Sequence, residues 1–374
     1  MIPTRVFAET LLGFLKPVRS FLEDPGVSEV MINGPDQVFI ERRGRLELTG
    51  ARFSSREAVL SALRNAAQFV GKQVDEEHPI LEARLPDGSR LQAVCPPAAP
   101  DGPLVSIRRF TRDNFSPSRL VDLGTLSEDA LQTLRAIVGS KLNVLIAGGT
   151  GSGKTSLLNA FSEFIPEGER VVVIEDSKEV QVQHGHVVYM EARPADAEGR
   201  GAVSIRDLFR ASLRMRPDRV VIGEIRGGEA LDIIQAMVSG HGGCLGTLHA
   251  TYPRDTLTRL ETMAMMSDVD IPLAALRLQI ASGVNVIVQA SRLEDGSRKV
   301  THITEVLAFD STNGNYRLQN LFERRFKGRD ARNELTSELV PTGALPSCES
   351  QLAEHDFSLP EAIYAAARRK EQSS

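Results

Sequence analysis

The chain has 374 residues, which is enough for two or three domains of roughly 150 residues each. Its formal net charge of -5 argues against a general nucleic-acid-binding surface. The cysteines, Cys95, Cys244 and Cys348, are far apart and odd in number, so neither a disulfide framework nor a cysteine zinc site is expected. No apolar run approaches the roughly 20 residues that span a bilayer, and we expect a cytoplasmic protein with peripheral membrane contact at most.

Residues 1–112 predict an α+β domain. Apolar and polar residues alternate in short runs between 27 and 50, which is the period of half-buried strands. Ser54 and Glu57 then form a capping-box pattern that opens an amphipathic helix. A stretch with serine and proline over 113–122 predicts an interdomain linker.

The most specific motif of the chain lies between a buried strand and a helix. The apolar run 144–147 is followed by four glycines, a lysine and a threonine, in the pattern G-x-x-x-x-G-K-[ST] of a phosphate-binding loop. In such loops the backbone amides and the helix N-terminus surround the phosphates, the lysine reaches the β- and γ-phosphates, and the threonine hydroxyl ligates Mg²⁺. The nucleotide-binding residues predicted here are Gly148, Gly149, Thr150, Gly151, Ser152, Gly153, Lys154, Thr155 and Ser156, with Thr155 as the metal ligand.

Beyond this loop, strand and helix patterns alternate, which predicts an α/β core with a parallel sheet and helices on its faces. Three further apolar runs between 285 and 319 predict a closing set of antiparallel strands. We assign the core to residues 123–325. The polar composition of much of 326–374 predicts a partly disordered tail.

Two of the predicted strands end in acidic residues. VVVIEDSKE places Glu175 and Asp176 at the carboxyl edge of the sheet, and RVVIGE places Glu224 there. One such acid is compatible with a helix cap, but two in one phosphate-loop domain favour a nucleotide-facing pair. Hydrolysis needs a group that orients water, so Glu175 and Glu224 are the predicted catalytic acids. Gly223 stands where a Walker B aspartate is usual, and we expect Mg²⁺ to be held by Thr155, the phosphates and water.

The segment SGHGGCLGTLHA follows as a glycine-rich turn and a strand. Thr247 and His249 alternate with leucines, so they share one face of that strand. A single histidine is usually structural, but its place in a phosphate-loop domain favours γ-phosphate sensing by His249. His241 has the weaker case for such a role.

Four arginines are candidates for phosphate contact. Arg108 and Arg109 end the N-terminal domain, and Arg210 and Arg214 precede the Glu224 strand. Most arginines are solvated surface residues. Arginines that face a phosphate site can instead act across a subunit boundary.

Four of these stretches, in this order, resemble the motifs of one family. GGTGSGKTS, VVVIEDSKE, RPDRVVIGEIRGGEALD and SGHGGCLGTLHA resemble the Walker A, Asp box, Walker B and His box of the secretion ATPases of type II secretion, type IV pili and type IV secretion. FLEDPGVSEVMINGPDQVFIER and SRLEDGSRKVTHITEV resemble the Tad/Flp pilus assembly ATPases of the CpaF type. The resemblance covers about residues 20–322.

This resemblance implies a RecA-like P-loop ATPase core preceded by a PAS-like N-terminal domain. It also implies ATP and Mg²⁺ as cofactors, and a cytoplasmic homo-hexamer docked peripherally on an inner-membrane platform protein. The residue roles that it implies are phosphate and Mg²⁺ binding by Lys154 and Thr155, acidic catalysis by Glu175 and Glu224, His-box membership of Thr247 and His249, and arginine fingers or phosphate contacts from Arg108, Arg109, Arg210 and Arg214. No tetracysteine module is present, which argues against the zinc-containing type II branch.

The sequence thus predicts an ATPase motor that drives pilus assembly or secretion, and two alternatives stay open. The first is a conjugative, DNA-transfer ATPase of the same family. The second is an ATP-binding switch without turnover. A helicase is disfavoured, and no direct nucleic-acid contact is expected, because the chain is acidic and lacks an aromatic and basic strand-binding stretch.

Overall fold

In the computed structural model of the protein, the chain forms two compact units, Met1–Asp113 and Asn114–Ser374. The residues that the structure describes are 4–42, 44–109, 115–195, 199–330 and 335–373. Within these ranges, no helix combines the length and the apolar character that a membrane span requires.

The first unit is a six-stranded antiparallel sheet with helices. Its elements are α1 (Thr4–Phe14), a 3-10 turn (Lys16–Val18), α2 (Arg19–Glu23), β1 (Val27–Asn33), β2 (Gln37–Arg42), β3 (Arg45–Leu48), α3 (Arg56–Phe69), β4 (Ile80–Arg84), β5 (Arg90–Val94) and β6 (Leu104–Arg108). The strand order is β3-β2-β1-β6-β5-β4, and every neighbouring pair is antiparallel. The apolar stripe of α3, with Val59 and Leu63, is buried with the inward side chains of β1 and β2.

Helix α3 begins one residue later than its sequence predicts. Ser55, not Ser54, is the N-cap, and its hydroxyl accepts a hydrogen bond from the Ala58 amide at 3.1 Å. The reason is local geometry, because Ser55 has extended backbone angles and its side chain reaches the third amide of the helix.

The second unit contains a nine-stranded sheet with helices. Its elements are α4 (Pro117–Asp122), α5 (Glu128–Gly139), β7 (Val144–Gly148), α6 (Lys154–Ser162), β8 (Val171–Glu175), β9 (Val187–Glu191), α7 (Ile205–Ser212), β10 (Arg219–Ile222), α8 (Glu229–Val238), β11 (Leu245–Leu248), α9 (Pro253–Ala264), α10 (Leu273–Gly283), β12 (Val286–Arg292), β13 (Arg298–Asp310), β14 (Asn315–Arg329), β15 (Leu335–Pro341), α11 (Glu349–Glu354) and α12 (Glu361–Ser373). The strand order is β15-β14-β13-β12-β7-β11-β10-β8-β9. Neighbouring strands are parallel from β12 to β9 and antiparallel from β12 to β15.

Helices cover both faces of this sheet, which explains why its central strands are apolar throughout. In β7, Val144 and Ile146 pack into one buried cluster with α5 and α6. Leu145 and Ala147 pack into a second cluster with α8, α9 and α10. Successive side chains of a strand point to opposite faces, so a strand that is covered on both sides needs apolar residues at every position.

One predicted segment and one predicted strand pairing differ from the structure. The predicted linker 113–122 contains α4, which is capped by Ser116 and buries Leu120, although residues 110–114 lie outside the described ranges. β12 was expected in an antiparallel set, but it pairs parallel with β7 on one side and antiparallel with β13 on the other. The residue pattern of a strand encodes its burial and not the direction of its neighbours, so this pairing could not be predicted locally.

The C-terminal segment differs from the prediction of a polar, partly disordered tail. β14 extends to Arg329, and β15 pairs with it at the sheet edge. Helices α11 and α12 bury Leu352 and Ile363 in the cluster that contains α5. The local residue pattern is weak here because an edge strand is only partly buried, and its position depends on hydrogen bonds to a strand elsewhere in the chain.

Replacing Gly139 by alanine should destabilise the second unit. The Cβ position of Gly139 lies 2.3 Å from Cζ of Phe357, so an added methyl group must displace the aromatic ring. Overpacking of this kind costs about 1–3 kcal/mol. Calorimetric unfolding of Gly139→Ala against the wild type measures the loss.

Two controls make this test specific. Gly185→Ala adds a methyl group where the Cβ position meets no atom within 4 Å, and it should leave the unfolding temperature unchanged. In a Phe357→Ala background, Gly139→Ala should cost almost nothing, because the clashing ring is gone. An equal loss in both backgrounds would show that this contact is not the cause.

Candidate active site

The phosphate loop connects β7 to α6 at the carboxyl edge of the sheet. Gly151 and Gly153 have φ angles of 70° and 92°, and α6 begins directly after them at Lys154. Gly148 leaves no room for a side chain, since its Cβ position lies 2.4 Å from Ser152 Oγ and 2.5 Å from the Ala290 carbonyl oxygen. The loop therefore folds tightly over the end of β7, with the N-terminus of α6 at its exit.

Lys154 is buried, and its ammonium group points back into the loop. Nζ donates to the carbonyl oxygens of Gly148 and Gly149, both at 3.1 Å, and lies 3.4 Å from His249 Nδ1. Thr155 follows in the first turn of α6 and is half-buried. The lysine thus joins the phosphate loop to the strand end that carries His249.

His249 connects Lys154 to Glu224. Its Nε2 lies 2.8 Å from Glu224 Oε1, while Nδ1 faces the lysine. Burial is the largest cause that lowers the pKa of His249, and the Lys154 ammonium lowers it further, against a raising effect of Glu224. The imidazole is therefore neutral near pH 7, and Nδ1, which faces the Lys154 ammonium, is the ring nitrogen placed to accept a hydrogen bond.

Arg226 links two strand-end carboxylates. Its guanidinium contacts Asp176 Oδ2 at 2.6 Å and also pairs with the other carboxylate oxygen of Glu224. The turn that carries Arg226 is held by Glu229, which accepts hydrogen bonds from the amides of Arg226 and Gly227. Glu224 is thereby fixed from both sides, by a histidine and by an arginine.

Glu175 is buried at the end of β8. Its Oε1 accepts hydrogen bonds from the amides of Glu179 and Val180, at 2.9 and 2.8 Å. Burial nevertheless raises the pKa of this carboxyl group to about 7. The side chain lies against Gly223, which directly follows β10 and where a Cβ atom would stand 2.7 Å from Glu175 Cγ. Glu175 therefore fills the space that a side chain at the Walker B position would need.

Thr247 ties β11 to the Glu224 turn. Its buried hydroxyl donates to the Gly223 carbonyl oxygen at 2.6 Å, and its own carbonyl accepts from the Ile225 amide at 2.8 Å. His241 lies at the opposite, N-terminal end of β11, next to Gly242 and Lys141. The structure thus brings His249 and Thr247 to the cluster and leaves His241 away from it.

The described contacts of the four candidate arginines lie within their own units. Arg109 donates to the carbonyl oxygens of Val27, at 2.8 Å, and of Asp24, within the first unit, and Arg108 is exposed on β6. Arg210 pairs with Asp232 of α8 at 2.8 Å, and Arg214 is exposed just beyond α7. Their assignment to the nucleotide site stays a prediction.

Two arginines that no sequence motif indicates lie beside the phosphate loop. Arg298, at the start of β13, donates from Nε to the Gly151 carbonyl oxygen at 2.9 Å. Arg292, at the end of β12, lies against the same glycine. Nothing in the local pattern indicates this position, because it follows from the parallel pairing of β12 with β7.

The fold and this site define a class. A parallel sheet carries a G-x-x-x-x-G-K-[ST] loop between a buried strand and a helix, with acidic residues on neighbouring strand ends, as in P-loop nucleotide-binding proteins. A family model described as "Type II/IV secretion system protein" matches residues 14–340. The chain belongs to this family, which confirms the resemblance at the level of the superfamily and leaves the CpaF type as a prediction.

Individual relatives agree with this assignment. The chain is 34% identical over 297 residues to a putative conjugal transfer protein of Mycobacterium tuberculosis, covering 78% of this chain and 83% of the relative. It is also 34% identical to the type IV secretion system protein VirB11 of Brucella suis, covering 78% and 88%. The crystal structure of the pilus retraction motor PilT with bound ADP covers 95% of this chain and 89% of its own, with 16% identity and a TM-score of 0.55. The fold of the core is therefore RecA-like, as expected.

The buried Glu175 should make the stability of the protein depend on pH. Folding raises the pKa of Glu175 from 4.5 to about 7, so the native state holds a proton that the unfolded state releases. The free energy of unfolding therefore falls as the pH rises between these two values. The shift corresponds to about 3 kcal/mol. Glu175→Gln removes this loss, so the variant should gain stability relative to the wild type between pH 5 and pH 8.

Urea unfolding of both proteins at the two pH values measures this difference. Glu167→Gln, at an exposed position, is the matched control and should follow the wild type at both pH values. A stability difference between Glu175→Gln and the wild type that does not change with pH would contradict the raised pKa.

Proposed function

We propose that this chain is an ATP-hydrolysing subunit of a homo-hexameric motor that works at an inner-membrane platform protein. The observation that carries the proposal is the connection from Lys154 through His249 to Glu224, which joins the phosphate loop to a strand-end acid. Membership of the secretion family supports ATP as the nucleotide. The motif supports the loop residues Gly148 to Ser156 as the nucleotide contacts.

The contacts of Lys154 suggest how nucleotide enters this arrangement. Nζ is held by two loop carbonyls and by His249, all of which are weaker partners for an ammonium than a phosphate chain. We infer that Lys154 exchanges these partners for the β- and γ-phosphates. Nδ1 of His249 would then lose its lysine partner, and a proton on that nitrogen would let it donate to the terminal phosphate.

The acids have different surroundings, which suggests different roles. Glu224 is contacted by His249 on one carboxylate oxygen and by Arg226 on the other, so its carboxyl group is oriented, as a group that positions water must be. Glu175 is buried on two backbone amides and packs beneath Gly223. We propose that Glu224 orients the attacking water and that Glu175 supports the hydrated Mg²⁺.

The donor set suits Mg²⁺ that arrives with the nucleotide. Within the described ranges, no group of three or more His, Cys, Asp or Glu residues is placed to bind a metal ion. Thr155 offers a hydroxyl in the first turn of α6, and the acids lie at the same sheet edge. When bound there, Mg²⁺ would neutralise charge on the phosphates. Thr155 would hold it, and Glu175 and Asp176 would accept hydrogen bonds from its water shell.

Completion of the site by a neighbouring subunit fits the arginines that are exposed. Arg109 is engaged with carbonyl groups of its own unit and Arg210 with Asp232, whereas Arg108 and Arg214 are exposed. We therefore favour Arg108 and Arg214 as arginine fingers across a subunit boundary. Arg109 and Arg210 would then hold the surfaces that present them.

We propose first that the motor drives a pilus assembly system of the Tad/Flp type. The candidate favoured by the relatives is a type IV secretion or conjugative ATPase, because the mycobacterial conjugal transfer protein and VirB11 match most of their lengths at 34% identity. Neighbouring genes distinguish the two, with pilin and platform genes for the first and mating-pair genes for the second.

Glu224→Gln should abolish turnover and spare nucleotide binding. The amide keeps the shape of the carboxylate but orients water poorly, so kcat should fall about 100-fold or more while the Kd for ATP changes little. Lys154→Ala should instead weaken binding of ATP itself. Light scattering with and without a non-hydrolysable ATP analogue, with the ATPase rate read on the same samples, measures assembly and turnover together.

The exposed Glu167→Gln is again the control and should assemble and turn over as the wild type does. A hexamer whose turnover is lost in Glu224→Gln supports the motor. ATP binding without turnover in an assembled wild-type protein would instead favour the non-hydrolysing switch.

A further inference from the structure

The hairpin formed by β12 and β13 is a wall of the phosphate loop that the motifs do not include. β12 pairs parallel with β7, with Ala290 opposite Gly148 at the last position of β7. β12 then continues for two residues, to Arg292, alongside the loop that begins where β7 ends. The hairpin therefore projects past the sheet edge at the place where the phosphates are expected.

The hairpin presents two arginines at facing positions. Arg292 and Arg298 are cross-strand partners in the register of β12 and β13, and both are exposed. The turn between them is held by the Leu293 amide, which donates to Ser297 O at 2.8 Å, and by the Ser297 amide, which donates to Asp295 Oδ1 at 2.9 Å. The hairpin therefore places two guanidinium groups side by side at the end of β12 and the start of β13.

Both arginines lie against the phosphate loop. Arg298 Nε donates to the Gly151 carbonyl oxygen at 2.9 Å, and Cδ of the same side chain lies 3.3 Å from the Cβ position of Gly153. Nη1 of Arg292 lies 3.5 Å from the Cβ position of Gly151. The guanidinium of Arg298 thus holds a loop carbonyl, and the aliphatic part of the same side chain covers Gly153, which precedes Lys154.

The backbone of Arg298 is anchored in turn to the start of the second unit. Its carbonyl oxygen accepts a hydrogen bond from Thr125 Oγ1 at 3.0 Å, and the Val300 amide donates to the Thr125 carbonyl at 3.1 Å. The buried Arg324 guanidinium also donates to the Thr125 carbonyl at 2.8 Å. The hairpin is therefore a rigid support and not a loose surface loop.

We propose that Arg298 is a positioning residue for the phosphate loop and that it sets the affinity for nucleoside di- and triphosphates. A phosphate-binding loop works only if its amides face the anion and its carbonyls face away, since an inward carbonyl would repel phosphate. Arg298 holds the Gly151 carbonyl outward and adds positive charge beside the loop, together with Arg292. This inference rests on the proposed nucleotide site but not on hydrolysis.

The test is binding of a fluorescent ADP analogue to full-length variants. Arg298→Met keeps the aliphatic stem over Gly153 and removes the Nε donor, and it should raise the Kd about 10-fold. Arg298→Lys restores the charge and should recover only part of this loss, because an ammonium on a longer stem does not reproduce the Nε geometry. Arg298 holds the loop alike in the ground state and the transition state. The KM for ATP should therefore rise in Arg298→Met, while kcat stays within about 3-fold of the wild-type value.

Arg317→Ala is the matched control, since it removes an exposed arginine from β14 of the same sheet, and it should bind as the wild type does. Unchanged Kd in Arg298→Met, with the wild type binding normally, would overturn the positioning role. Full recovery in Arg298→Lys would replace it by a simple charge effect. Nucleotide binding that weakens in Arg298→Met without any turnover in the wild type would support this inference while the motor function fails. A wild type that binds no nucleotide would overturn both.

Discussion

The site depends on the parallel register of four neighbouring strands. β7, β11, β10 and β8 pair in the same direction, so the phosphate loop, His249, Glu224 and Glu175 all emerge at one edge of the sheet. Strands buried on both faces fix this register strongly, because every position is apolar and packed. The precision with which the polar groups meet is therefore set by the hydrophobic core below them.

At that edge, the polar groups form a connected series rather than separate residues. Lys154 contacts His249, His249 pairs with Glu224, and Arg226 joins Glu224 to Asp176. Burial and the Lys154 ammonium lower the pKa of His249, so the imidazole in this series is neutral near neutral pH. A change at the phosphate loop, where Lys154 contacts two carbonyl oxygens and the imidazole of His249, is thereby connected to the acid proposed to orient water.

Glycines at the site are there as much for space as for flexibility. Gly223 leaves room for the buried carboxyl group of Glu175 from the neighbouring strand. The Glu175 side chain thus occupies the space that the side chain of a Walker B aspartate would need. Gly148 likewise admits the Ser152 hydroxyl and the Ala290 carbonyl. The hairpin that carries Ala290 and Arg298 reaches the loop only because of this close approach.

The sequence by itself determined the phosphate loop, the two strand-end acids, the His-box face and the α/β class of the core. These features are contiguous in the chain, and their chemistry requires particular residues at fixed spacing. The tertiary structure alone decided that Glu175 occupies the space at Gly223, that β12 runs parallel to β7, that Arg298 contacts the loop, and that β15, α11 and α12 pack on the core. Each of these depends on strands or helices that meet across long stretches of chain, and local periodicity reports burial without naming the partner.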